Sequence, residues 1–150
     1  MNEMVNHPAH YQGAGGVEVI DVIEFYDFSA SWHLSDALKY LLRAGKKGGP
    51  EKLVEDLKKA RFYMRRWQDH DFVAPAYSGA LKFKTKHGSE LTLRQVVSAF
   101  SIDNIFIAAA AEMLLMVGND QYRQPRTWLA KALNSLDGAI AELEPTRDGK

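Results

Sequence analysis

Apolar residues recur along most of this chain at the three-to-four-residue spacing of amphipathic helices. That pattern predicts a mainly α protein, with helices over Val17–Phe28, Trp32–Ala44, Pro50–Trp67, Leu93–Phe100, Asn104–Val117 and Pro125–Leu143. In the first, Val19, Ile20, Ile23 and Tyr26 are expected to face inward. In the second, Leu34, Ala37, Leu38, Leu41 and Leu42 form the apolar arc, and Gly45 supplies the helix stop. Pro50 and Glu51 open the third, whose stripe is Leu53, Leu57, Ala60, Met64 and Trp67, with Asp56 at its edge. Alternation around His87-Gly88 predicts a short β-hairpin near residues 80–93. Thr92 and Gln95 then form a capping box for the next helix.

The pattern divides the chain into a helical unit over residues 1–70, a linker over 71–79 and a hairpin plus a second helical unit over 80–150. The two units share a rhythm. ALKYLLRAG (37–45) aligns with AAEMLLMVG (110–118), and Pro50, Leu53 and Leu57 align with Pro125, Trp128 and Ala132. The alignment fits a duplicated three-helix unit whose second copy lost its charges; any two amphipathic helix pairs would align about as well.

Charge changes this picture. From Lys39 to Arg66 there are ten Lys or Arg against three acids, an excess of seven that the rest of the chain balances, since the whole holds 19 of each. Positive charge gathered beside a glycine-rich turn and a helix start suits a small phosphate-bearing anion. Overall neutrality argues against a protein that coats long DNA or RNA. The absence of cysteine excludes disulfide scaffolds and thiol chemistry and suits a reducing cytoplasm. The start has no apolar segment of the signal-peptide kind, and the longest apolar run, Ile105–Val117, is too short to span a bilayer. No membrane partner is expected. Broad apolar helix surface in two short halves predicts a homo-oligomer.

Gly45-Lys46-Lys47-Gly48-Gly49 lies where backbone N–H groups are free and the helix dipole favours anions. Lys39 and Arg43, four residues apart, project together toward that turn. The spacing of a Walker loop is absent. Glu18 and Asp21 offer an ExxD pair that could hold Mg²⁺, which the sequence permits without requiring, and Glu55 and Asp56 are the other acids in reach. His7, His10 and Tyr11 lie on an N-terminal arm able to fold over a nucleotide, with Tyr11 placed to stack on a base. A solvated turn and a ladder of intrahelical ion pairs explain much of the same pattern.

HPAHY (7–11), VEVIDVIE (17–24), ALKYLLRAGKK (37–47) and DLKKARFYM (56–64) together resemble the SaV-like domain family of phage and prophage proteins, over about residues 6–67. That family is itself similar to the nucleotide kinase of T-odd coliphages, which phosphorylates deoxynucleoside monophosphates without a P-loop. The resemblance implies site positions at His7, His10, Tyr11, Glu18, Asp21, Lys39, Arg43, Lys46, Asp56 and Lys59. It implies ATP as phosphate donor and the host cytoplasm as location. On that reading Lys39, Arg43, Lys46 and Lys59, helped by Lys47, hold phosphates, and Asp21 or Asp56 is the catalytic carboxylate that orients the attacking group. Two alternatives stay open. One is a non-catalytic sponge that sequesters a nucleotide signal of host defence. The other is a MazG-like, Mg²⁺-dependent pyrophosphohydrolase, for which Glu18-x-x-Asp21 supplies half of the paired acidic pattern.

Overall fold

A computed structural model describes residues 11–46, 48–70, 75, 82–119 and 123–144. Six helices occur among them: α1 (Val19–Phe25), α2 (Trp32–Leu42), α3 (Pro50–His70), α4 (Leu93–Ser98), α5 (Ile105–Met116) and α6 (Pro125–Leu143). Two short strands, β1 (Phe83–Lys84) and β2 (Glu90–Leu91), pair antiparallel with Phe83 opposite Leu91. The protein is mainly helical, with its hairpin inside the span the alternation marks out.

Local chemistry sets the helix ends. Ser31 accepts from the Leu34 N–H at the start of α2, and Gly45 takes a φ of 79° just beyond its end, where a Cβ would be strained. Thr92 and Gln95 make both bonds of the capping box before α4. Asn104 accepts from two N–H groups at the start of α5. Helix α1 is shorter than its apolar pattern suggests. Asp27 adopts a left-handed φ of 61°, so the chain leaves the helix at Tyr26 and resumes as a 3-10 turn over Phe28–Ala30.

Helix α2 packs on α3 and α5 on α6, and the two pairs are joined α2 to α5 and α3 to α6. One core therefore draws on both halves of the chain. The burial pattern carries the same relation. Leu34, Ala37, Leu38, Leu41 and Leu42 of α2 match Ile107, Ala110, Ala111, Leu114 and Leu115 of α5, position for position. In the second pair, Asp56, Leu57, Ala60 and Met64 match Ala132, Leu133, Leu136 and Ile140. This register is one residue away from the proline-based alignment, which sets Leu57 rather than Asp56 against Ala132.

One inward assignment is corrected. Ile20 is 59% exposed, and Val22 takes the core position beside Val19 and Ile23. Helix α1 covers the core with only a narrow stripe, which leaves Ile20 on the outer side.

Candidate functional site

The centre of the charged half is a polar contact set into the core between α2 and α3. Asp56 has no exposed surface, although it belongs to a helix rich in cations. Arg43, in the residue that closes α2, brings Nη2 to 3.5 Å from Asp56 Oδ1, and its own side chain is 12% exposed. Lys52, one turn before Asp56, lies 3.7 Å from the same oxygen. Arg43 also donates from Nη1 to the Tyr11 hydroxyl at 2.9 Å. Its guanidinium lies 4.6 Å from the centre of the Tyr40 ring and 5.6 Å from that of Tyr11, so the cation is held between two aromatic faces.

Two atoms of this cluster, Arg43 Nε and Asp56 Oδ2, are buried and have no hydrogen-bond partner among the described residues. Buried polar atoms are nearly always paired, and exceptions concentrate where a ligand, water or strain has a role. In the alignment of the two helix pairs Met116 falls at the position of Arg43, and the burial register puts Ala132 at that of Asp56. Apolar residues thus stand at both positions, and a buried ion pair is often no more stabilising than an apolar contact.

Tyr11 connects this cluster to a cavity of about 450 Å³ whose lining includes Glu18, Ile20, Ile23, Glu24 and Lys39. That volume lies in the range of small-molecule sites. Val19, Ile20 and Ile23 give it an apolar wall; Glu18, Glu24, Ser29, Ser35, Lys39 and Tyr11 bring its polar groups. Lys39 is only loosely engaged, 3.5 Å from Asp36 with about two-fifths of its side chain exposed. A second, shallower cavity of about 520 Å³ is bounded by Tyr40, Tyr63, Phe62, Lys58 and Lys59 among others. Arg43 is thus linked to one cavity through Tyr11 and to the other through Tyr40.

The sequence-marked residues divide accordingly. Tyr11, Glu18 and Lys39 share the first cavity, and Arg43 and Asp56 lie directly behind Tyr11. Lys59 opens on the second cavity and bonds Glu55 at 2.9 Å. This contact holds the Glu55 carboxyl below its usual range and the Lys59 ammonium above its own. Lys46 turns the other way and donates to the Leu42 and Phe100 carbonyls. Burial holds its ammonium below the ordinary lysine range against an opposing pull from Asp103. Here Lys46 joins the α2–α3 turn to the second unit. Asp21 is half-buried on α1 and does not line the first cavity. His7, His10 and Lys47 lie outside the described residues. No group of three or more His, Asp or Glu side chains able to hold a metal occurs among the described residues.

Three residues outside the candidate set also contribute. Tyr40 precedes Arg43 by three residues, Lys52 precedes Asp56 by four, and Tyr63 follows Lys59 by four. These are helical neighbour distances at which side chains meet, and the intervals were visible in the sequence. What was hidden is that α2 and α3 turn both sets toward one another.

The site therefore belongs to a mainly helical protein and centres on a charged contact buried between α2 and α3. Residues 5–65 match the family described as protein of unknown function (DUF3310). The chain is similar to a protein of Enterobacteria phage T3 called Gene 1.7 protein, at 41% identity over 69 residues. That similarity covers 44% of this chain and 42% of the phage protein, so the chain spans less than half of its relative's length. No solved structure matches. No helix among the described residues is long and apolar enough to cross a membrane.

Proposed function

We propose that this is a phage nucleotide-binding protein that transfers a phosphoryl group from ATP to a deoxynucleoside monophosphate. The observation that carries the binding part is the Asp56–Arg43–Tyr11 linkage, which connects a buried charge to a cavity holding Lys39. A base fits against Val19, Ile20 and Ile23, where the exposed Ile20 completes an apolar wall. The Lys39 ammonium and the Tyr11 hydroxyl face the phosphate. Arg43 acts through Tyr11: donating a hydrogen bond to the phenol oxygen makes its O–H a stronger donor, as in any polarised chain of hydrogen bonds. Asp56 holds Arg43 in place and does not itself meet the ligand.

The reaction class follows from the resemblance to phage nucleotide kinases and from the similarity to a phage protein. With the Asp56 carboxylate buried, transfer on this reading depends on positioning and charge neutralisation. Mg²⁺ bound with a nucleotide is held largely by phosphate oxygens and one or two carboxylates. Glu18 and Glu24 are the carboxylates on this cavity.

The test is calorimetric titration with each deoxynucleoside monophosphate and with ATP, together with chromatographic detection of diphosphate products. Binding that Lys39→Ala abolishes, with turnover, supports the reading in full. Tight binding without turnover would leave a sequestering protein, and pyrophosphate release from triphosphates would mean hydrolysis instead. No binding of any nucleotide would sink the proposal.

A further inference from the structure

Between Leu57 and Gln68, helix α3 carries Lys58, Lys59, Arg61, Arg65 and Arg66 and no acid. Phe62 stands among these cations and is 60% exposed, as is Trp32 at the start of α2. Large aromatic side chains left in water at this level, on a face rich in cations, need a reason. The rings are connected. Trp32 meets Tyr63 edge-on at 5.7 Å, and Phe62 meets Tyr63 edge-on at 5.3 Å. Tyr40 lies parallel to Tyr63 at 6.2 Å and 6°. Two shallow cavities run along this face and share Lys58 and Phe62; the second is lined by Arg61, Arg65, Arg66 and His70.

The face also carries acids, and Glu51 lines its first cavity. Glu55 pairs with Lys59, Glu144 with Lys58, and Asp137 with both Arg61 and Arg65; Asp69 lines the second cavity. Most of these are exposed surface pairs of the kind that contribute little and exchange readily. Arg66 has no ion pair among the described residues. Around Trp32, His33 stacks on its ring at 3.7 Å.

From this juxtaposition of exposed rings and cations we infer that the outer face of α3, with Trp32, binds a short stretch of single-stranded nucleic acid. Its bases stack on Trp32 and Phe62, and its phosphates meet Lys58, Arg65 and Arg66. Rings that accept any base, set among cations that follow a backbone, are the two components of sequence-tolerant single-strand binding. Charge selects this occupant over a second copy of the chain, because a twofold contact through this face would set cation against cation. Only a few phosphates are engaged, which is compatible with a neutral protein. The inference is separate from the nucleotide cavity beside Lys39, which uses neither Trp32 nor Phe62.

The experiment is fluorescence anisotropy of a labelled oligothymidylate of about twelve nucleotides with the full chain. It is read at about 50 mM and about 200 mM salt. A duplex of the same length is run beside it. Binding should weaken about tenfold or more in Trp32→Ala/Phe62→Ala, recover in part in Phe62→Tyr, and weaken with salt. Arg66→Gln should lower both affinity and salt slope. All three variants change exposed positions, and thermal melting verifies that they fold. Equal affinity for the duplex, or binding untouched by the double variant, overturns the inference, as does no binding at the lower salt. Self-association that the double variant abolishes, without oligonucleotide binding, assigns the face to a second copy and also overturns it. Mononucleotide titration of the double variant reports the Lys39 cavity independently, so each reading can fail alone.

Discussion

Arg43 and Asp56 meet at 3.5 Å, and the positions aligned with them in the second half of the chain are Met116 and Ala132. Removing one charge leaves the other buried and uncompensated, whereas removing both leaves apolar side chains in its place. Asp56→Ala should therefore destabilise by about 3–5 kcal/mol. Arg43→Met/Asp56→Ala should return to within about 1 kcal/mol of the parent, or exceed it, in urea unfolding. A double variant as unstable as the single one would show that the pair is kept for stability, and would remove the main reason to regard it as functional.

A second expectation concerns alkaline pH. Tyr26 is buried, and burial raises its hydroxyl from the ordinary value of 10.0 to about 12. Between those limits the unfolded chain releases a proton that the native state retains. Stability therefore falls as pH rises through this window, and the contribution is complete below pH 10. Tyr26→Phe should resemble the parent near neutrality and lose less stability between pH 10 and 12. Denaturant midpoints measured across that window decide it, and parallel curves for the two proteins would refute the assignment.

Glycine at position 118 has a packing reason. A Cβ there would lie 2.7 Å from the Tyr26 carbonyl oxygen and 3.0 Å from Pro75 Cβ, and the first of these is backbone that cannot swing aside. Gly118→Ala should cost about 1–3 kcal/mol through overpacking. Gly49, with nothing within 4 Å of its Cβ position, is the control; Gly49→Ala should change stability by about 0.5 kcal/mol or less. Thermal denaturation of the two variants side by side tests this, and equal costs would be the failing result.

Much of this arrangement was legible before any coordinates. The bounds of α6, the capping box at Thr92 and Gln95, the stop at Gly45 and the hairpin around His87 all rest on local chemistry, which neighbouring residues decide by themselves. Ile20 was misplaced because α1 is only seven residues long, and so short a helix does not define an apolar face by period. The depth of Asp56 was hidden for a different reason. Its position beside Leu57 and Ala60 is an edge position on α3 alone, and only the docking of α2 turns that edge into core. Lys46 shows the same limit, since nothing near it in the chain announces the Phe100 carbonyl that it bonds.

The Arg43–Tyr11 contact yields the sharpest test of the site. If Arg43 strengthens the Tyr11 hydroxyl as a donor, Tyr11→Phe removes the bond to phosphate and leaves Arg43 still paired with Asp56 and lying over Tyr40. A charge-assisted bond of this kind is worth about 1.5–3 kcal/mol, so nucleotide affinity should fall about tenfold to a hundredfold with the fold intact. Lys39→Ala should cost as much or more, because it removes the one ammonium that the described residues place on the cavity wall. Arg43→Lys should keep the charge and lose affinity, since a point charge cannot serve Tyr11 and Asp56 at once as the planar fork does. Calorimetric titration of the three variants with the parent's preferred nucleotide gives the answer. Full affinity in Tyr11→Phe would place the phosphate away from the N-terminal arm, and full affinity in Arg43→Lys would mean that charge alone, without the fork, is what Arg43 supplies.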